Sequence, residues 1–426
     1  MGALSEFGYS APSHHLSILQ KLVGPESESF DDKGFGPPPK RWKGSCKGGL
    51  NFTCNKGIIT AGSAGNNGPE QVIAQNSEGC VDRDLVKGKI VLCDDFLGNR
   101  EAHLAGATGA IVLNNLYPDI AFVLPLPASS LSLKDYESIK HPQAEILRTE
   151  EIVDREAPYV PSFSSRGPSF TVQYLLKPDV SAPGLEILAA FSPVASPSDI
   201  MYPEDTRSVR YSVMSGTSMA CPHVAGVAAY VKSFHPDWSP SAIKSAIMTT
   251  TTPMNLKKNP DQEFAYGSGQ INPTKASDPG LVYEVETEDY LKMLCAEGFD
   301  SRSLTKISRR NITCLERTEV KDLNYPTMTT FVPPLDPFNV TFRRIVTNVG
   351  LPNSTYNASV VPLRQEIRIN IEPETLSFGF LKEKKSFIVT ISGEKLKDGS
   401  LVSSSLEWSD GSHSVRSPIV AYSIQP

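Results

Sequence analysis

The chain has 426 residues, 39% of them hydrophobic, and a formal charge of −6 from 41 Lys and Arg against 47 Asp and Glu. That length allows two or three domains. The mild acidity argues against a surface built for nucleic acid or anionic membrane, and the apolar content argues against disorder. No run approaches the roughly 18 apolar residues of a membrane span, and 34 Pro with 30 Gly predict many loops and turns.

Residues 1–23 form a Ser/His/Leu stretch that predicts a helix over 13–23. Residues 1–16 have neither the basic nor the apolar region of a signal peptide. Residues 24–70 are rich in Pro, Gly and Lys and predict little regular structure. From residue 85 the texture changes. Residues 86–93 predict a strand, 100–107 a short helix and 109–114 a second strand, which together suggest a small α/β module. Two helices are predicted within 155–285. The first runs over 219–234 and starts after Ser215-Gly216-Thr217-Ser218. Pro222 is then its fourth residue, where the N–H has no partner within the helix. Ala225, Gly226, Ala228 and Ala229 predict close packing of this helix against a sheet. The second helix follows the cap pair Ser239-Pro240 and runs to about residue 250. Residues 319–426 alternate as a β-sandwich, with strands at 344–347, 387–391 and 405–408. Asp410-Gly411 turns the chain into a last strand over 415–422.

The seven Cys fall as the near pairs Cys46/Cys54, Cys80/Cys93 and Cys295/Cys314, with Cys221 left over in an apolar segment as a buried thiol. None has the C-x-x-C spacing of a zinc or redox site. Sequons stand at Asn51, Asn311, Asn339, Asn353 and Asn357, the last three within 19 residues. Paired Cys with clustered sequons predict an oxidising, glycosylating compartment. No His, Cys and carboxylate cluster has ligand spacing, so no metal and no cofactor is expected.

Gly216-Thr217-Ser218-Met219-Ala220-Cys221-Pro222-His223 places a Ser at the positive end of a helix dipole, with its own N–H available to an oxyanion. Taken alone, such a Ser is an ordinary helix cap. The longer string through Val224-Ala225-Gly226 resembles the nucleophile segment of the subtilisin-like serine proteases (subtilases, peptidase family S8), in particular the plant, cucumisin-like branch. By that resemblance Ser218 is the nucleophile. Ser63-Ala64-Gly65-Asn66-Asn67-Gly68-Pro69 resembles the segment whose Asn completes the oxyanion hole, here Asn66. Four further stretches are similar to the same branch: Phe163-Ser164-Ser165-Arg166-Gly167-Pro168, Lys177-Pro178-Asp179-Val180-Ser181-Ala182-Pro183-Gly184, Tyr266-Gly267-Ser268-Gly269-Gln270-Ile271-Asn272-Pro273 and Leu323-Asn324-Tyr325-Pro326.

The resemblance implies an α/β fold: a partial parallel-sheet catalytic domain with an inserted protease-associated (PA) module and a C-terminal fibronectin-III-like β-sandwich. It divides the chain into a propeptide remnant of the inhibitor-I9 type (1–23), an N-terminal catalytic remnant (24–75), the PA module (76–148), the C-terminal half of the catalytic domain (149–290) and the sandwich (319–426). It implies a secreted endopeptidase of the apoplast or cell wall, acting on polypeptides. It implies no nucleic-acid or membrane partner and leaves the oligomeric state open.

A Ser nucleophile needs a base and a carboxylate to orient that base. The family's Asp stands in Asp-Thr-Gly before a Pro-Glu-Ser segment. Here Lys21-Leu22-Val23-Gly24 precedes Pro25-Glu26-Ser27, and residues 9–23 resemble the middle of a propeptide. The family's His stands in Gly-His-Gly-Thr-His after a stretch similar to 42–55. Here Cys54-Asn55-Lys56 runs directly into Gly57-Ile58-Ile59-Thr60, and the pocket-lining strand belongs to the same lost interval. A third join follows Pro69, where residues 70–75 replace a long stretch. None of His14, His15, His103, His141, His223, His235 and His413 is expected to substitute. His223 lies five residues beyond Ser218, about 7.5 Å of rise and about 140° of rotation along a helix. His235 and Asp237 lie past the far end of the helix, and Asp31, Asp32 and Asp179 read as solvated or hydrogen-bonded. The chain is therefore expected to be inactive or nearly so. The alternatives are a mis-joined or spliced remnant, or a protein that binds through its PA and sandwich modules. Loss of central strands is also expected to leave the 219–234 helix with an apolar face that little covers.

Overall fold

The computed structural model describes residues 83–424, apart from 94–95, 97, 115–118, 140–143, 148–152, 156, 170, 199–203, 315–318 and 363. The expectations for 1–82, including Asn51, Asn66, Cys46, Cys54 and Cys80, lie outside the described residues.

The first unit runs α1 (Arg83–Val86), β1 (Ile90–Cys93), α2 (Gly98–Leu104), β2 (Gly109–Leu113), β3 (Ala128–Leu131) and α3 (Leu133–Glu137). Its strands form one parallel sheet in the order β1-β2-β3. The strand predicted over 86–93 is shorter than expected. Gly88 turns the chain at φ +75°, so residues before it form a helical turn and only those after it join the sheet. Val112, Ala110 and Ala102 are fully buried and pack with Phe96, whose ring lies 4.7 Å from that of Phe122.

The middle of the chain carries β4 (Ile187–Ala190) and β5 (Tyr211–Met214), paired antiparallel, then α4 (Thr217–Phe234), α5 (Pro240–Thr249), α6 (Glu263–Tyr266) and α7 (Pro273–Ala276). Helix α4 begins two residues before the predicted start. Pro222 is thus its sixth residue, and the Ser218 carbonyl loses the N–H it would otherwise receive. Helix α5 starts as predicted: the Ser239 hydroxyl accepts from the Ala242 N–H at 3.1 Å. The two helices bury Val224, Val227 and Val231 against Ile243, Ala246 and Ile247.

Strand β6 (Leu281–Val282), α8 (Thr287–Ala296) and α9 (Ser301–Ser308) follow, then β7 (Met328–Phe331), β8 (Phe338–Asn348), β9 (Ser354–Val361), β10 (Arg368–Glu372), β11 (Thr375–Phe378), β12 (Lys384–Gly393), β13 (Leu401–Ser409) and β14 (Ser414–Tyr422). Two sheets, β10-β12-β8-β6 and β11-β9-β13-β14-β7, enclose Phe342, Val346, Tyr356, Phe387, Trp408 and Ile419. All four strands predicted for this region fall inside β8, β12, β13 and β14. Helices α8 and α9 were not foreseen. Helix α8 is started by Glu286, whose carboxylate takes the N-cap role in a capping box with Asp289, rather than by a Ser or Thr. A disulfide joins Cys295 at the end of α8 to Cys314.

A buried charge fastens the helical half to the sandwich. Asp179 is 1% exposed. Lys177 Nζ lies 2.9 Å from its carboxylate and Lys244 Nζ, from α5, 3.8 Å. The Tyr325 hydroxyl donates a short hydrogen bond to the same group, and Lys244 Nζ sits 4.4 Å from the Tyr325 ring centre. Burial alone would raise the carboxyl's pKa, but the two ammonium groups and then the Tyr325 hydroxyl outweigh it and hold it below its ordinary value. Arg344 of β8, equally buried, donates Nε–H to the Tyr325 carbonyl at 2.9 Å and further N–H groups to the carbonyls of Lys321 and Thr327.

Asp179→Asn leaves two ammonium groups without their carboxylate, so its unfolding free energy in urea is expected to fall by about 3–5 kcal/mol. Because the folded pKa is depressed, the carboxylate's contribution is present above the unfolded value near 3.8 and lost as pH falls through the folded one. The difference between wild type and Asp179→Asn should therefore shrink only in strong acid. For the disulfide, whose cysteines are 19 residues apart, Cys295→Ser with Cys314→Ser is expected to cost about 3 kcal/mol in the same urea measurement.

Candidate active site

The nucleophile turn is built from two directions. The β4–β5 pair delivers residues 211–214 to the start of α4, with Met214 opposite Ile187. The loop at 184–186 supports the turn from below: the Gly216 N–H donates to the Gly184 carbonyl at 2.8 Å and the Glu186 N–H to Ser215 Oγ at 2.9 Å. A Cβ at Gly184 would stand 2.9 Å from the Gly216 carbonyl oxygen, so only glycine allows this approach. Thr217 is buried and Ser218 half-buried in the first turn of α4, where the free N–H groups and the dipole favour negative charge.

The structure brings the expected motif stretches together around this turn. The Ser181 N–H donates to the Gly269 carbonyl and the Ile271 N–H to the Ser181 carbonyl, at 2.8 and 2.9 Å. A Cβ at Gly267 would meet the Pro178 carbonyl oxygen at 2.3 Å, and one at Gly167 the Lys177 carbonyl oxygen at 2.3 Å. The stretches at 163–168, 177–184 and 266–273 thus interlock backbone to backbone. The fourth joins them through Tyr325, while Asn324 Oδ1 accepts the Ile345 N–H at 2.8 Å.

No histidine or carboxylate is hydrogen-bonded to the Ser218 hydroxyl among the described residues. His223 Nδ1–H donates back to the Met219 carbonyl of its own helix at 2.8 Å. His235 Nε2–H donates to the Ser277 carbonyl at 2.7 Å, and its ring stacks on Trp238 at 3.8 Å. His413 lies in the sandwich between Asp410 and Asp278, Asp179 in the buried cluster described above, and Asp237 in an exposed ion pair with Lys382. His14, His15, His141, Asp31 and Asp32 lie outside the described residues. Among the described residues no group of His, Cys and carboxylates could hold a metal ion. Cys221, expected to be buried, is half-buried, and that burial raises its thiol pKa. Cys93 is buried in the first unit.

Helix α4 also shows an open apolar stripe. Pro222, Ala225, Gly226, Ala229, Tyr230 and Phe234 recur at helical spacing and are all exposed. A Cβ at Gly226 would meet nothing within 4 Å. Phe234 is 57% exposed, and Leu188 on β4 is 69% exposed. Of the four small residues that predict packing against a sheet, Ala225, Gly226 and Ala229 are exposed, and Ala228 is buried in the core with α5.

A model of the subtilase family matches residues 33–269, and a model of the fibronectin type-III domain matches residues 322–421. Subtilisin-like protease SBT4.3 of Arabidopsis thaliana is 57% identical, over 96% of this chain and 82% of its own length. The chain belongs to the subtilase family. Two further Arabidopsis thaliana subtilases, subtilisin-like proteases SBT4.4 and SBT4.6, are 52% and 36% identical, covering 81% and 96% of this chain and 48% and 81% of their own lengths. The alignment to SBT4.3 is 595 positions long, yet 96% of 426 residues fills only about 409 of them. Roughly 186 positions of that relative thus have no counterpart in this subtilase.

The stripe on α4 yields a direct expectation. Tyr230→Ser with Phe234→Ser should weaken binding of a fluorescent apolar probe. Stability is expected to fall by only about 1 kcal/mol, since both rings are partly exposed and the main loss is their edge-to-face contact at 4.9 Å.

Proposed function

We propose that this chain is a secreted, N-glycosylated subtilase in which Ser218 is retained as a nucleophile without the aspartate and histidine that would activate it. It therefore hydrolyses peptide bonds slowly or not at all. The observation that carries the reading is the surroundings of Ser218. Its hydroxyl sits at a helix N-terminus suited to an oxyanion, yet every described histidine near that end or beyond it is bonded elsewhere. The roughly 186 unmatched positions, set beside the joins at 23–25, 54–57 and 69–76, support the same reading.

The chemistry follows from the roles. A serine hydroxyl attacks an acyl carbon at useful rates only when a base takes its proton. In subtilisin, loss of the histidine alone costs about 2 × 10⁶ in kcat. A residual acceleration of roughly 10³–10⁴ over water comes from the oxyanion hole and substrate binding. Here the helix N-terminus at Ser218, with Asn66 from the segment similar to the oxyanion-hole strand, would supply only that residue of the machinery. Polypeptides are the substrate class of the family. The domain assignment stands on the same footing: 1–23 propeptide remnant, 24–75 and 149–290 peptidase, 76–148 PA module, 319–426 sandwich. The parallel β1-β2-β3 sheet supports an α/β insertion at the third of these. Exposure of Asn311, Asn339, Asn353 and Asn357 supports glycan attachment in a secretory compartment. No helix among the described residues is long and apolar enough to cross a membrane.

A fluorophosphonate probe, which reports an activated serine, tests the proposal. The full chain and Ser218→Ala are expected to label equally weakly, and labelling that Ser218→Ala abolishes would overturn the inactive reading. Sequencing transcripts from the locus for Asp-Thr-Gly and Gly-His-Gly-Thr-His coding segments separates a real shortened isoform from a mis-joined one.

A further inference from the structure

The turn between α7 and β6 meets the β13–β14 hairpin at a single histidine. His413 Nδ1 lies 2.9 Å from Asp410 Oδ2, and its Nε2 lies 3.2 Å from Asp278 Oδ1. Asp410 is fixed by its own loop, where Oδ1 accepts the N–H of Ser412 at 2.9 Å and of His413 at 2.6 Å. Asp278 comes from the other side, just before Gly280, which turns at φ +80°. A Cβ on Gly280 would stand 2.8 Å from His413 Cβ and 2.6 Å from Tyr356 Oη, so the turn lies flush against the histidine. The Gly280 carbonyl then accepts the N–H groups of Val349 and Gly350, both at 2.9 Å.

A neutral imidazole carries one N–H and one lone pair. Between two carboxylates, the neutral ring satisfies one and turns its lone pair on the other. Only the imidazolium donates to both. We propose that His413 is a proton-dependent clamp that fastens the sandwich hairpin to the turn leading out of the helical half. Protonation closes both arms, and loss of the Nε2 proton opens the arm to Asp278.

The charged groups facing the ring are Asp410 on its own hairpin and Asp278 on the opposing turn, and Tyr356 of β9 packs against it with ring centres 6.5 Å apart. The Tyr356 phenol stays neutral: burial, then the Asp410 charge, raises its pKa. Asp410 stays ionised. Burial alone would raise its pKa, but hydrogen bonds from the His413 N–H and ring and from the Ser412 N–H bring it down to about 2. For His413 burial alone would lower the pKa, and the hydrogen bonds and charges of Asp410 and Asp278 outweigh it, leaving the value above the ordinary 6.5. A raised folded pKa means that the clamp's contribution is complete below the unfolded value of 6.5 and is lost as pH rises through the folded one. Asp278 is 72% exposed, so the outer arm is screened by salt while the inner arm is not.

The clamp is independent of any reaction at Ser218 and is tested on the full chain by following its histidine proton resonances against pH. The resonance that vanishes in His413→Gln is expected to titrate with a midpoint above 6.5, and Asp278→Asn should move that midpoint down. The urea midpoint of wild type should exceed that of His413→Gln at about pH 6 and converge toward it by about pH 9. A wild-type midpoint at or below 6.5, or a stability difference that does not change with pH, would overturn the clamp. Should His413→Gln fail to fold, the exposed Asp278→Asn supplies the comparison, and an unmoved titration there overturns it equally.

Discussion

The carboxylate of Asp179 is the point on which the described structure depends. A charge with 1% exposure is tolerated only when ionic partners and hydrogen bonds surround it. Those partners come from three places: Lys177 from the same loop, Lys244 from α5, and Tyr325 from the segment entering the sandwich, 146 residues away in sequence. None can move off without stranding the rest. Arg344 extends the constraint by holding the Tyr325 carbonyl from inside the sandwich. Helical half and β-sandwich are therefore locked through buried charge as well as apolar contact.

This constraint explains how the nucleophile turn keeps its shape. Its supports are Gly184, Glu186 and the β4–β5 pair, all on the side that leads back to Asp179. The other side of α4, from Pro222 to Phe234, is the open apolar stripe. Ser218 is thus well placed at a helix N-terminus, while each of His223 and His235 among the described residues is bonded elsewhere. The local geometry at Ser218 rests on segments that precede it in the chain, Gly184, Glu186 and the β4–β5 pair.

The motif stretches that carry the family resemblance take on a physical meaning here. Gly167, Gly184, Gly267 and Gly269 each sit where a Cβ would run into a neighbouring backbone or side chain. Phe163 to Pro168, Lys177 to Gly184 and Tyr266 to Pro273 are contacts of one another, and Asn324 and Tyr325 stitch them to β8 and Asp179. They are assembly points rather than reacting groups. Ser218 alone among the quoted described residues is read as a chemical one.

Much of this was legible in the sequence. Period-two alternation marked β8 and β12, where buried and less buried residues alternate over part of the strand. Strands β13 and β14 stood out as apolar runs flanking the Asp410-Gly411 turn, β14 being buried on both faces from residue 417 to 422. Ser239-Pro240 marked the start of α5 because its capping bond is local. The missing Asp-Thr-Gly and Gly-His-Gly-Thr-His segments were visible because a motif is a string, and a string is absent or present without folding. The start of α4 was misplaced by two residues, since Gly216 caps it by backbone contact with Gly184, far away in the chain. Helix α8 was missed because a Glu N-cap carries little information outside its capping box, whereas the cap of α9, Asp300 accepting from the Ser303 N–H at 2.7 Å, was a legible signal left unread. Asp179 read as a solvated or hydrogen-bonded carboxylate of a loop motif, and it is hydrogen-bonded, but its burial was not legible; His413 was weighed only as a stand-in base for Ser218. Their roles are set by Lys244, Tyr325 and Asp278, which approach from distant segments. The sequence by itself determined the family, the nucleophile candidate and the absence of its partners' motifs, all of which reside in contiguous residues. Only the tertiary structure decided which charges are buried, which face of α4 is open and what joins the halves, because burial and pairing are properties of neighbours in space.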